Sequence, residues 1–218
     1  MCIANGGDSP AIHRPNLALK VAHVIAVHSI RENFVSMAFM KMLGASGATI
    51  STTAAIFNTI RSAAGQKDAL SAAAKVGLDG FPHLQQLCFA VFAVCRAADR
   101  PRNIMSHWLW GHASGIPDGV LLIDPTDFTN YINSLDNRSS NKDNPESKLN
   151  PSKVMVYNAS DFDEVVRRIE RSKDLVVALL GLLTRHRAHP IEPNDPALLQ
   201  LSSEPEIHKE LGRQTKDR

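Results

Sequence analysis

At 218 residues the chain is long enough for one substantial hydrophobic core and short for two full-sized domains, so it reads as a single domain. Apolar residues make up 44% of it and charged residues 21%, which excludes an intrinsically disordered chain. The balance of 24 Lys and Arg against 22 Asp and Glu leaves a formal charge of only +2, which excludes a global field that would gather nucleic acid; any RNA contact has to be local.

Residues 1–15 carry Gly6, Gly7, Pro10 and Pro15 with little periodicity and read as a flexible lead-in. They show neither the basic start nor the apolar stretch of a secretory signal. The most apolar runs, LVVALLGLL and LCFAVFAVC, fall short of the roughly 20 residues a helix needs to span a bilayer. Cys2, Cys88 and Cys95 have no CxxC spacing, and the last two share a helix face as small buried thiols. A cytoplasmic protein without a membrane segment is the expectation.

Asn16 is placed to cap a long helix with an apolar stripe beginning at Leu17, Val21, Val24, Ile25 and Val27, and the run GASG from Gly44 to Gly47 ends it. ATISTTAAIFNTIRSA is apolar at Ile50, Ala54, Phe57 and Ile60, a helical repeat, and KDALSAAAKVG continues in helical composition. Pro82 suits the first turn of a further helix through LQQLCFAVFAVCRAA. Short connections between these pieces predict an antiparallel helical bundle.

After Gly111 the pattern changes. IPDGVLLIDP and KVMVY are short, β-branched runs between turn signals and predict a small β-ribbon. The polar stretch between them, near 136–152, reads as a flexible loop. Ser160 with Asp163 resembles a capping box, from which Phe162, Val165, Val166, Ile169, Val176, Leu179, Leu180 and Leu183 carry a C-terminal helix to about Arg185. The fold class is thus mainly α, one domain over 16–188, with residues 189–218 as a polar tail.

The stretch RPRNIMSHWLWG, Arg100 to Gly111, carries the chemistry. Asp99 is suited to cap, and Pro101 to open, a new helix whose first two turns hold Arg102, Asn103 and His107. Asn103 and His107, four apart, share a face, and the long Arg102 side chain swings toward it. A helix N-terminus favours an anion such as a phosphodiester. A guanidinium grips phosphate oxygens in two places, and an imidazole, with its ordinary pKa of about 6.5, exchanges protons near neutral pH. Those parts suffice to cleave RNA without a metal, with a base for the 2′-hydroxyl and a cation for the charge developing on phosphorus.

These residues, with the order of helices before them, resemble the HEPN superfamily over roughly residues 17–111. Active members carry Arg, four to six residues, then His, commonly with a polar residue after the Arg. The resemblance implies a HEPN-like helical fold and a metal-independent endoribonuclease, often a toxin or defence effector, acting by 2′-hydroxyl transesterification at a site between two protomers. It implies catalytic roles for Arg102, Asn103 and His107. Arg100 and Trp108 beside them are candidate RNA contacts. A homodimer, an RNA substrate and an antitoxin or other regulatory protein are the partners expected, and no cofactor.

Other readings stand beside this one. A non-catalytic HEPN-like module that binds a partner protein or ligand would use the same surface. Arg102 and His107 could equally be paired with a carboxylate and a backbone carbonyl, and Trp108 and Trp110 are suited to packing. No metal site is expected, since His107 and His112 lack a Cys/His cluster or an HExxH helix. His23 and His28, five apart, read as separate structural residues. The run RHRAH from Arg185 to His189 fits a solvated basic helix end better than a phosphate site. Asp118, Asp124 and Asp127 fit turns. ANGGDSP and GASGATIS lack the lysine or the preceding strand of a phosphate loop.

Overall fold

The computed structural model describes residues 10–113, 115–138 and 149–216. Helices dominate: α1 (Pro10–His13), α2 (Pro15–Met42), α3 (Thr49–Thr59), α4 (Ala63–Gly77), α5 (Pro82–His107), α6 (Pro125–Arg138), α7 (Ala159–Ala188), α8 (Pro196–Ser203) and α9 (Pro205–Lys216). Three strands, β1 (Leu109–Gly111), β2 (Gly119–Ile123) and β3 (Val154–Asn158), form one antiparallel sheet in that order. The mainly helical class and the pairing of the two expected strands are both present.

The chain divides into two compact units interleaved in sequence. The first is built from Met1–Ile25 with Arg100–Arg167, the second from Ala26–Asp99 with Arg168–Arg218. The long helices α2, α5 and α7 each contribute to both.

In the first unit β2 is the central strand and is buried along its whole length, which is why GVLLI reads as a continuous apolar run without alternation. It pairs Val120 with Tyr157 and Leu122 with Met155 on one side, and Leu122 with Trp110 on the other. The β1 strand was not expected, because its three residues directly follow a helix and are too few to show a period. Leu17, Val24, Met105, Phe162, Val165 and Val166 complete the buried set. Helix α7 starts one residue before Ser160, so the expected Ser160–Asp163 box is replaced by an Asn158–Asp161 box. The Asn158 Oδ1 accepts from the N–H of Ser160 (2.9 Å) and of Asp161 (3.2 Å), and Asp161 accepts from the Asn158 N–H (2.8 Å). Asp124 caps α6 in the same way, accepting from Thr126 and Asp127. Most of the expected loop at 136–152 lies outside the described residues.

The second unit holds the larger core. Helix α5 turns Leu84, Leu87, Cys88, Val91 and Cys95 inward at helical spacing. Val35, Phe39 and Met42 from α2, Phe57 from α3, Leu70 and Ala74 from α4, and Leu175, Leu179 and Leu183 from α7 close around them. Gly44 and Gly47 both adopt positive φ (70° and 52°), which ends α2 as the GASG run predicts. The segment expected as a polar tail folds instead: α8 and α9 bury Leu198, Leu201 and Ile207 in this core. Pro196 and Pro205 each occupy the first position of a helix, where a missing N–H is harmless.

Candidate functional site

The motif does not open a helix. Pro101 lies inside α5, and the helix continues without interruption to His107. Asp99 is consequently an interior residue rather than a cap. Arg102, Asn103 and His107 occupy the last two turns, where the helix presents carbonyls and partial negative charge instead of free N–H donors. The anion site expected from a helix N-terminus is therefore absent from this position. The proline misled because an X-Pro pair ordinarily marks a boundary, whereas here tertiary packing on both sides of it sustains the helix.

Helical geometry also rearranges the face. At about 100° per residue, Arg102 lies about 140° around the axis from His107, whereas Asn103 and Arg100 lie within about 40° and 20° of it. Arg100, Asn103 and His107 are all exposed, so guanidinium, amide and imidazole form one stripe at spacing i, i+3, i+7. Arg102 is half-buried beside the stripe. Its Nη1 donates to the Asn103 Oδ1 at 3.1 Å, and its buried Nε–H has no acceptor among the described residues.

The tryptophans have structural work. The Trp110 indole N–H donates to the Met105 carbonyl at 2.9 Å and so closes one of the free carbonyls of the helix end, while its backbone extends β1. Trp108, half-buried, continues the helical bonding through its N–H to Ile104 (2.9 Å). The same unit holds two side chains the sequence did not point to. The His112 ring lies tilted against that of His13 with centroids 4.7 Å apart, and Arg14 donates to the Ile116 carbonyl (3.4 Å); the buried His112 Nδ1 and Arg14 Nε have no partner among the described residues. His13 and Arg14 fall in the aperiodic lead-in, where pattern gives no signal.

The second polar centre lies in the other unit, around a fully buried arginine. Arg31 is 0% exposed. Its Nη1 donates to the Cys95 carbonyl at 3.0 Å, and its Nη2 donates both to Glu32 at 2.8 Å and to Asp99. His28 completes the group, its Nε2 3.1 Å from the same Asp99 oxygen. Burial works against charge on Arg31, but Asp99 foremost, then Cys95 and Glu32, outweigh it and raise its pKa. Burial alone would push Asp99 up; the hydrogen bond from His28 and the charge and hydrogen bond of Arg31 hold its carboxyl below the ordinary value.

Ligand atoms of His28, Glu32 and Asp99 lie within 4.8 Å of one another, the spacing of a metal site. The donor set nevertheless does not fit one, because the Arg31 nitrogen bonds both carboxylates and holds the position a cation would take. His28, expected to stand alone, is one member of this network. The basic run at the end of α7 is structural as well. Arg187 donates to the Lys41 carbonyl (3.0 Å) and to that of Met42, capping α2, and Arg185 pairs with Asp195 at 2.8 Å.

The fold and site together define a mainly helical protein with a small antiparallel sheet, whose α5 ends in an exposed guanidinium–amide–imidazole stripe. Among known proteins, no family model, no curated protein and no solved structure matches the chain. Among the described residues no helix is long and apolar enough to cross a membrane.

Proposed function

We propose that the chain is a metal-independent endoribonuclease of HEPN type that cleaves RNA by 2′-hydroxyl transesterification, with His107 in proton transfer, Asn103 in positioning, and Arg102 and Arg100 on the phosphate. The observation that carries this reading is the exposed face shared by Arg100, Asn103 and His107. His107 takes the proton of the 2′-hydroxyl as that oxygen attacks phosphorus. The 5′-oxygen of the next nucleotide leaves with a proton from a second acid, and the product ends in a 2′,3′-cyclic phosphate. One imidazole does not serve as base and acid in the same step, so two copies of the chain, each presenting its own His107, divide the roles. Arginine supplies charge to the phosphorane-like transition state. A toxin or defence role, with an antitoxin as silencing partner, follows from the resemblance alone.

The test is incubation of the purified chain with mixed-sequence RNA in EDTA. Cleavage giving 2′,3′-cyclic phosphate ends is expected, and His107→Ala is expected to lose about 100-fold or more in rate, the scale of a general acid–base group, with an unchanged circular dichroism spectrum. Intact RNA with the wild-type dimer, or equal cleavage by His107→Ala, would overturn it.

One observation favours the second reading, a non-catalytic module that binds a partner protein. The stripe stands on the carbonyl end of α5, whose partial charge opposes a phosphate and suits a cationic or hydrogen-bond-donating partner surface. Stable association without turnover distinguishes it.

A further inference from the structure

Between Arg185 and Arg187 on the last turn of α7, His186 binds backbone. Its Nδ1 accepts the N–H of Ile191 at 3.2 Å, and the Nε2 of His83, at the start of α5, lies 3.0 Å from the carbonyl oxygen of the same residue. Phe81 packs edge-on against both rings, its centroid 4.3 Å from that of His186 and 6.2 Å from that of His83. Two imidazoles thus hold residue 191, whose side chain is buried in the larger core. Ile191 lies on the short linker between α7 and α8, so α8 and α9 follow directly from the point that is held. Every group in this arrangement belongs to the second unit.

Protonation acts differently on the two contacts. A carbonyl only accepts, so the His83 Nε2 donates to it and carries a hydrogen whether the ring is neutral or cationic. An amide N–H only donates, so the His186 Nδ1 has to be bare, with the proton of the neutral ring on Nε2. A second proton on His186 sets N–H against N–H and breaks its contact, while His83 keeps its own. We propose that His186 is a proton-operated latch, which holds the α7–α8 linker, and with it α8 and α9, on the core at neutral pH and releases it in mild acid.

The surroundings favour the bare ring. Burial first, then the charges of Arg187 on its own helix and of His83 from α5, lower the His186 pKa from the ordinary 6.5. Arg187 is fixed beside it, because its guanidinium is held on the Lys41 and Met42 carbonyls at the end of α2. From the turn before α5 His186 meets the uncharged Phe81 ring. On the linker, His189 and Glu192 are exposed, and Asp195 is paired with Arg185 at 2.8 Å. A histidine whose folded pKa is depressed keeps its contact above the unfolded value of about 6.5 and loses it as pH falls through the lower folded value. Asp195, held below its ordinary value first by the hydrogen bond from Arg185, stays charged over that range. Arg171 remains bridged to Glu204 and Glu206, so the release is a local opening of the linker that loosens α8 and α9 without unfolding the core.

Hydrogen–deuterium exchange of the full chain, read by mass spectrometry from the linker through α9 and corrected for the pH dependence of intrinsic exchange, measures the opening. Between about pH 7.5 and 5.5 the wild type is expected to open this segment about threefold more, with the peptides of the α5 core unchanged. His186→Asn offers an amide oxygen to the Ile191 N–H and has no proton to gain, so the step is expected to vanish. His83→Gln keeps a donor for the carbonyl and is expected to keep the step. Nitrogen NMR of the wild-type histidines gives a readout free of any substitution: His186 is expected as the Nε2–H tautomer at neutral pH, titrating below 6.5. A step that survives in His186→Asn, exchange in the wild type that ignores pH, or a His186 protonated on Nδ1 at neutral pH overturns the latch.

Discussion

Arg31 shows how a single side chain can be satisfied at depth. Its guanidinium is removed from water entirely, and only the carboxylates of Asp99 and Glu32 and the Cys95 carbonyl compensate it. Removing one partner of such a pair strands the other charge. Asp99→Asn is therefore expected to lower the stability of the chain by about 3 kcal/mol, measured by urea denaturation near neutral pH. The pH dependence has a definite sign. Because the Asp99 pKa is depressed in the folded state, its stabilisation is complete above the unfolded value of about 3.9 and disappears as pH falls through the lower folded value. The stability gap between wild type and Asp99→Asn should accordingly narrow in acid below about pH 4. A gap that widens there would contradict the assignment. Nothing in the sequence marked this network, since Arg31, Glu32 and Asp99 look like ordinary charges until α2 and α5 are brought together. The three-residue motif was legible as a set of residue types, but the face it presents was not.

Close packing sets the sign of substitutions within the helices. Gly77 is the last residue of α4, and a Cβ placed there would meet the Met42 carbonyl oxygen at 1.9 Å. In an open helix, glycine to alanine stabilises by up to about 1 kcal/mol. At Gly77 the obstacle is backbone, which does not step aside, so Gly77→Ala is expected to lower the melting temperature and to destabilise by about 2 kcal/mol or more. A rise in melting temperature would show that α4 is free to move from the end of α2. Helix ends divide along the same line. The starts of α5 and the end of α2 follow from Pro82 and the GASG run, because local chain stiffness acts through one or two residues. The end of α5 does not, since Pro101 argues for a boundary and the packing of the helix on both sides overrides it. Where the N-cap lies two residues from the expected one, both Asn158 and Ser160 have capping side chains, and only the strand β3 before them decides which is used.

For the chain as a whole, burial of the thiols gives a measure of cooperative opening. Cys88 and Cys95 lie in the larger core, and burial pushes both thiols up to about 12. At pH 8 neither is expected to react with a maleimide or a disulfide reagent until denaturant opens the unit, as followed by mass spectrometry of tryptic peptides. Rapid modification of either in the native protein would mean that this core opens locally.

The sequence by itself determined the mainly helical class, the two longer strands, the buried cysteines and the residue types of the α5 stripe. These follow from periodicity and turn chemistry, which act over a few neighbouring residues. Only the tertiary structure decided that α8 and α9 join a core instead of trailing as a tail, that the motif ends a helix instead of opening one, and that α2 buries Arg31. Each of these depends on which distant segment covers a given face, and desolvation and charge pairing between segments far apart in the chain carry no short-range signature.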